Sequence, residues 1–170
     1  MLRSQEQWEL IPIERIEPYY KIALKAAKES PCTRRKYGAV IGYDSDPIMV
    51  TGTNARVSGC CDGYCVRDRA GVVNGSRTEL GAEVHAEQAA LINAPKRGEV
   101  FVLAGWQVQN GFELTELKGT AVYPCLVCAR MIKYAGYRWV HMKNFAGNLD
   151  VFHIDDIITA REMELGPHYE

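Results

Sequence analysis

Three side chains that favour soft metal ions stand where the chain reads as two separate helix starts. They are His85, in His85-Ala86-Glu87, and Cys125 and Cys128, in Pro124-Cys125-Leu126-Val127-Cys128. If they act together, the fold must bring two helix ends to one ion. Cys125 and Cys128 are three apart and face the same way on a helix. The positive end of the helix favours the thiolate, the form that binds metal. Two thiolates and one imidazole suit zinc. Three protein ligands are one short of a closed structural site and leave the open position of a catalytic one. Glu87, two residues past His85, would project beside the metal. A carboxylate there can take a proton from metal-bound water, whose pKa falls toward about 7. Passing that proton on is general acid–base catalysis, worth typically ~10²–10⁴-fold. Each half alone has other readings. A C-x-x-C also serves as half of a structural zinc site or as a redox pair, and a His-x-Glu arises by chance on many helices. The joint pattern points to catalysis.

The rest of the chain suits a single domain around one core, at 170 residues with 47% apolar and 24% charged residues. A net charge of -1 and a pI of about 6.4 lack the basic footprint of a polynucleotide-binding domain. No apolar run approaches the ~18 residues of a membrane span. Residues 1–9 are polar and carry acids, without the apolar centre of a signal peptide. Six cysteines, two of them in a C-x-x-C, fit metal binding in a reducing cytoplasm better than three disulfides.

Along the chain, Glu17-Pro18 reads as the opening of a helix, with proline at its first position. Tyr20, Leu24 and Ala27, joined by Ile22 and Ala26, form its apolar stripe, and Ser30-Pro31 ends it. Residues 37–43 and 48–51 read as a strand hairpin around Asp44-Ser45-Asp46-Pro47. Periodicity then disappears over residues 54–82, a length expected of a functional loop and read as the wall of a site. A helix over 85–93, a strand over 100–104 and a hairpin turn at Asn110-Gly111 before a strand over 112–114 follow. Pro124 opens a helix that Gly136 closes, 139–142 is a strand, and Asp155 or Asp156 caps a last helix to Glu164. This order implies a three-layer α/β/α sandwich with a mixed central sheet of about five strands.

H-x-E…P-C-x-x-C resembles the signature of the zinc nucleobase deaminases. The flanking stretches resemble the deoxycytidylate deaminase family more specifically. They are Cys32-Thr33-Arg34-Arg35-Lys36-Tyr37-Gly38-Ala39-Val40-Ile41, Thr51-Gly52-Thr53-Asn54, Gly63-Tyr64-Cys65-Val66-Arg67, His85-Ala86-Glu87-Gln88 and the run from Pro124 to Ile132. Ala135-Gly136 and Ile158-Thr159-Ala160-Arg161 extend the likeness, which covers about residues 18–165. It implies a cytidine deaminase-like fold, one catalytic zinc, and hydrolysis of dCMP to dUMP and ammonia in the supply of dTMP. Zinc hydroxide would attack C4 while Glu87 moves protons. It also implies a homo-oligomer, a hexamer or smaller. Among substrate contacts it implies Asn54 on the nucleoside, the backbone of Ala86 on the base edge, and Tyr123 in the base or sugar pocket. Asn54 equally fits a strand-ending turn, and Tyr123 a core position.

A nucleotide also needs phosphate contacts, for which Arg34 and Arg35, with Lys36, Arg56 and Arg67, are the candidates. The alternative for each is a solvated charge. Cys60, Cys61 and Cys65 are candidates for a second, structural zinc, with His153 or another donor completing the set. The alternative there is free thiols. His141 reads as a strand residue and His168 as part of a tail. The chain departs from the family pattern at Ala89, where an asparagine is usual. Gly81 stands where many relatives have a cysteine, and Asn54-Ala55-Arg56-Val57 replaces the Asn-Gly-x-Pro loop tied to dCTP activation. The competing functions are a deaminase of polynucleotides, one acting on free or modified cytosine or cytidine, and a non-catalytic zinc scaffold. The near-neutral charge weighs against the first, and the presence of Glu87 against the last.

Overall fold

The computed structural model describes residues 11–43, 46–56, 71 and 83–164, without the side chains of 46–48 and 56. Its elements in chain order are α1 (Ile13–Lys28), β1 (Arg35–Tyr43), β2 (Asp46–Thr53), β3 (Ala55–Arg56), β4 (Glu83–Val84), α2 (Ala86–Asn93), β5 (Val100–Gln109) and β6 (Glu113–Glu116). A 3₁₀ turn (Gly119–Ala121), α3 (Leu126–Tyr134), β7 (Trp139–Lys143), β8 (Leu149–His153) and α4 (Ile154–Glu164) complete them. Helix α1 starts five residues before Glu17-Pro18 can start it, and Pro18 lies inside it. Ile16, fully buried, extends the stripe of Tyr20, Ala23, Ala26 and Ala27 by a turn toward the N-terminus. Pro18 and Glu14 are exposed, so water can reach the carbonyl that proline leaves without an N–H partner.

The main sheet runs β2-β1-β5-β7-β8, with β6 paired to the outer end of β5. Only β5 and β7 are parallel; the other pairs are antiparallel, so the sheet is mixed, as expected. Strand β8 is absent from the sequence expectation. Asn110 and Gly111 take the positive φ values (51° and 82°) of a I′ turn, and Phe112 N–H donates to the Gln109 carbonyl at 3.1 Å.

Alternation along the strands divides the core in two. Val40, Val100, Val102 and Ala104 pack against Ile16, Tyr20 and Ala23 of α1. Ala39, Ile41, Phe101, Leu103, Val140 and Met142 face the other way, onto Ala86 and Ala90 of α2, Ala129 and Ile132 of α3, and Ile157 of α4. The result is the α/β/α sandwich. Each large side chain so buried stabilises the fold by roughly 1.5–3 kcal/mol. Among the described residues no helix is long and apolar enough to cross a membrane.

Two glycines set how closely the helices lie on the sheet. A Cβ on Gly38 would fall 2.0 Å from the Ala23 carbonyl oxygen and 2.8 Å from the Ala27 nitrogen of α1. On Gly52 it would fall 2.3 Å from the Ala86 carbonyl oxygen and 2.5 Å from the Ala90 nitrogen of α2. Backbone rests on backbone at both places. Gly52 thereby fixes the height of the helix that begins with His85.

Candidate metal centre

His85 and Cys125 are the N-cap residues of α2 and α3, both with extended backbone (φ -73°, ψ 154° and φ -64°, ψ 164°). Pro124 therefore precedes the cap and stands outside the helix it was expected to open. The Cys125 sulfur accepts the N–H of Cys128 at 3.5 Å, doing what an aspartate or serine does at other caps. At α2 the Gln88 Oε1 accepts the His85 N–H at 2.9 Å, half of a capping box, and Gln88 Nε2 reaches the Met131 sulfur on α3 at 3.7 Å.

The two caps meet. His85 Nδ1 lies 3.5 Å from Cys125 Sγ and 3.3 Å from Cys128 Sγ, and the three donor atoms all lie within 4.8 Å of one another. Zinc–sulfur and zinc–nitrogen bonds of about 2.3 and 2.0 Å at tetrahedral angles give an N···S edge of about 3.5 Å. Donor type and spacing both fit zinc. The electrostatics agree. The Cys125 thiol is drawn down to about 4, first by its hydrogen bond from Cys128 and then by His85. Cys128, donor of that bond, is pushed up by it and by burial, while His85 is raised to about 8 by its bond to Cys125. A dication would displace these protons and take both sulfurs as thiolates.

A family profile described as the cytidine and deoxycytidylate deaminase zinc-binding region matches residues 13–143. The chain belongs to this deaminase family. His85, Cys125 and Cys128 are positioned to hold the zinc of such a deaminase. The fold is similar to that of a cytidine deaminase from Burkholderia pseudomallei, 17% identical with a TM-score of 0.52, over 83% of this chain and 94% of that one. A cytidine deaminase from Mycobacterium tuberculosis is 20% identical with a TM-score of 0.45, over 79% of this chain and 86% of that one. No curated protein sequence matches the chain significantly.

Glu87, on the first turn of α2, is 5% exposed. Burial raises its carboxyl above the usual range, and the neighbouring His85 opposes the rise. Ala86 is fully buried beside it. Asn54 is buried and its amide is bonded to β1: Oδ1 accepts the Tyr37 N–H at 2.7 Å and Nδ2 donates to the Arg35 carbonyl at 2.9 Å. Its NH₂ carries two hydrogens, of which that bond uses one. The Asn54 carbonyl accepts Ser30 Oγ at 2.6 Å, and Tyr37 OH donates to the Ala121 carbonyl at 2.9 Å. Asn54 thus joins the end of α1 to β1, and Tyr37 joins β1 to the loop before Cys125.

Tyr123 lies edge-on to Phe152, centroids 5.5 Å apart, with the Arg161 guanidinium 6.0 Å from its ring. Arg35 begins β1 and Arg34 precedes it, both beside the carboxyl end of β5, and Arg35 Nε donates to Gln107 Oε1 at 2.9 Å. His153 packs edge-on against Trp139, and its Nδ1 accepts the Asp155 N–H at 3.2 Å. It therefore takes the capping place expected of an aspartate, and helix α4 begins one residue before Asp155. Cys60, Cys61, Cys65, Arg67 and His168, the Arg56 side chain and most of the 54–82 loop lie outside the described residues. Sequence reasoning passed over Gln88, Tyr37 and Arg161 as parts of the site. Gln88 had a readable signal, a glutamine three residues after a helix cap.

Proposed function

We propose that the chain hydrolyses dCMP to dUMP and ammonia. The observation that carries the deaminase chemistry is Glu87: a carboxyl nine-tenths or more buried, two residues from a zinc ligand and shifted toward its protonated form. Zinc, when bound, supplies a water acidified enough to ionise near neutral pH. Glu87 accepts a proton from the attacking water and delivers it to the ring nitrogen next to C4. The same carboxyl then takes the proton of the new C4 hydroxyl and gives it to the amine, so that the C4–N bond breaks, C4 becomes a carbonyl and ammonia leaves. Burial serves both transfers, because a carboxyl raised above its ordinary range holds the accepted proton long enough to return it. The base and sugar would be held by the Ala86 backbone, Asn54 and Tyr123, and the phosphate by Arg34 or Arg35. The choice of dCMP rests on the flanking stretches around Arg34, Asn54 and Arg67, which resemble the deoxycytidylate branch.

A homo-oligomer belongs to the same reading. Ile92, Val127 and Tyr134 of α2 and α3 are 72%, 59% and 96% exposed, an apolar face that association of copies would cover. Sedimentation equilibrium finding only monomer at micromolar concentration would remove that part.

The substrate is tested by ammonia release from zinc-loaded protein offered dCMP, dCTP, deoxycytidine and a cytosine-containing oligonucleotide. Turnover of dCMP far above the other three supports the proposal. Turnover confined to deoxycytidine or to the oligonucleotide replaces it with a nucleoside or a polynucleotide deaminase.

A further inference from the structure

Arg161, on the last helix, turns its guanidinium onto the loop that delivers Cys125. Nε donates to the Pro124 carbonyl at 3.0 Å, and Nη2 to the Tyr123 and Thr120 carbonyls at 2.7 and 3.2 Å. Nη1 donates to both carboxylate oxygens of Glu164, at 3.2 and 2.9 Å. A guanidinium has five N–H donors in a fixed planar fork, and five acceptors are present here. The side chain is 19% exposed. With its donors so engaged, Arg161 is built to hold protein, and it could contact a substrate phosphate only by releasing one of these bonds.

The three carbonyls belong to the stretch that leaves the 3₁₀ turn and enters the cap of α3. That stretch has no strand partner of its own, and its short bonds, Val122 N–H to Gly119 and Tyr123 N–H to Thr120, end before Pro124. Pro124 lacks an N–H, so nothing on its donor side can tie it down. Its carbonyl, on the peptide that leads into Cys125, is bonded to Arg161 alone among the described hydrogen bonds. The direction of the Cys125 Cα–Cβ bond, and hence where its sulfur sits relative to His85 Nδ1, depends on that peptide plane.

We propose that Arg161 is a positioning residue of the zinc site, which fixes Cys125 by clamping the carbonyls of Thr120, Tyr123 and Pro124. The inference rests on the zinc reading of His85, Cys125 and Cys128 and is independent of which cytosine compound is the substrate. A lysine offers three donors from a single point and lacks the planar fork, so it can recover only part of the clamp.

The test uses the full chain and two readouts other than turnover: zinc affinity by competition with a chromophoric chelator, and the thiolate-to-metal charge-transfer band of the cobalt(II)-substituted protein. Arg161→Met should weaken zinc binding about 10–100-fold, the scale on which supporting residues act on metal sites, and should shift the cobalt band. Arg161→Lys should fall between Arg161→Met and the unaltered protein. Arg130→Met removes an exposed ion pair to Glu162, 3.3 Å long, between α3 and the same last helix, and should leave both readouts unchanged. Unaltered affinity and an unaltered cobalt band in Arg161→Met would overturn the proposal. So would an equal loss in Arg130→Met, which would assign the effect to helix docking in general. Should Arg161→Met not fold, Arg161→Lys decides: wild-type affinity and band overturn the clamp, and a partial loss with a shifted band supports it.

Discussion

On one face of the sheet α1 lies on Gly38; on the other α2 lies on Gly52, with backbone meeting backbone at both contacts. Each face also buries a titratable side chain whose neutral form burial favours. Glu87 is raised on the α2 side, and His141, lowered to about 4, lies in β7 in register with Val102, whose side chain faces α1. The packing device and the electrostatics are the same, and the use differs. Among the described residues His141 reaches the Phe101 carbonyl alone by hydrogen bond, 3.4 Å from its Nδ1, so its shift is a cost to stability at acid pH. Glu87 shares a helix start with His85, so in the proposed deamination its shift serves proton transfer. A buried ionisable group acquires a function from what stands beside it.

The sharpest way to break this comparison is Glu87→Gln. Zinc content and thermal stability should stay near the unaltered values while ammonia release falls at least about 10²-fold. Retained activity would place the proton shuttle elsewhere. Next comes the glycine pair. Gly38→Ala and Gly52→Ala should each destabilise by roughly 1–3 kcal/mol in urea unfolding, because the new Cβ meets backbone that cannot rotate away. Only Gly52→Ala should also weaken zinc, by about tenfold or more, since α2 must lift and carry His85 with it. Equal zinc affinity in the two variants would show that the two helix contacts are interchangeable after all. The smallest effect concerns His141. Its folded pKa lies below the unfolded value of about 6.5, so the unfolded chain binds the extra proton and stability falls as pH drops from there toward 4. Between pH 6.5 and pH 5 this amounts to on the order of 1–2 kcal/mol. Denaturant titrations at both pH values should show that difference shrinking in His141→Phe.

The zinc ligands were legible because each half of the site is local. A histidine or cysteine at a helix cap, with its partner or its carboxylate two or three residues on, leaves a mark in a short stretch of chain. The sandwich was legible for a similar reason, since strands such as Val100–Gln109 are nearly all apolar and buried at their start. Strand β8 was not. It lies at the sheet edge, and Leu149-Asp150-Val151-Phe152-His153 shows no in–out alternation of burial. The start of α1 was missed because Pro18 looked like a helix opening, when its exposed place lets water stand in for the lost bond. Arg161 had no local signal at all. Its three carbonyl partners lie 37, 38 and 41 residues upstream, and backbone carbonyls carry no identity in a sequence. The bonding of Asn54 was not legible, because both ends of its amide face the backbone of β1.

The central claim is that one imidazole and two thiolates from two helix caps hold zinc and leave a position open. X-ray absorption at the zinc edge, on protein carrying one equivalent of zinc, tests it most directly. Two sulfur neighbours at about 2.3 Å and two nitrogen or oxygen neighbours at about 2.0 Å are expected, one of the latter being solvent. Three or four sulfurs around the ion would contradict it and move the tightest zinc site away from His85.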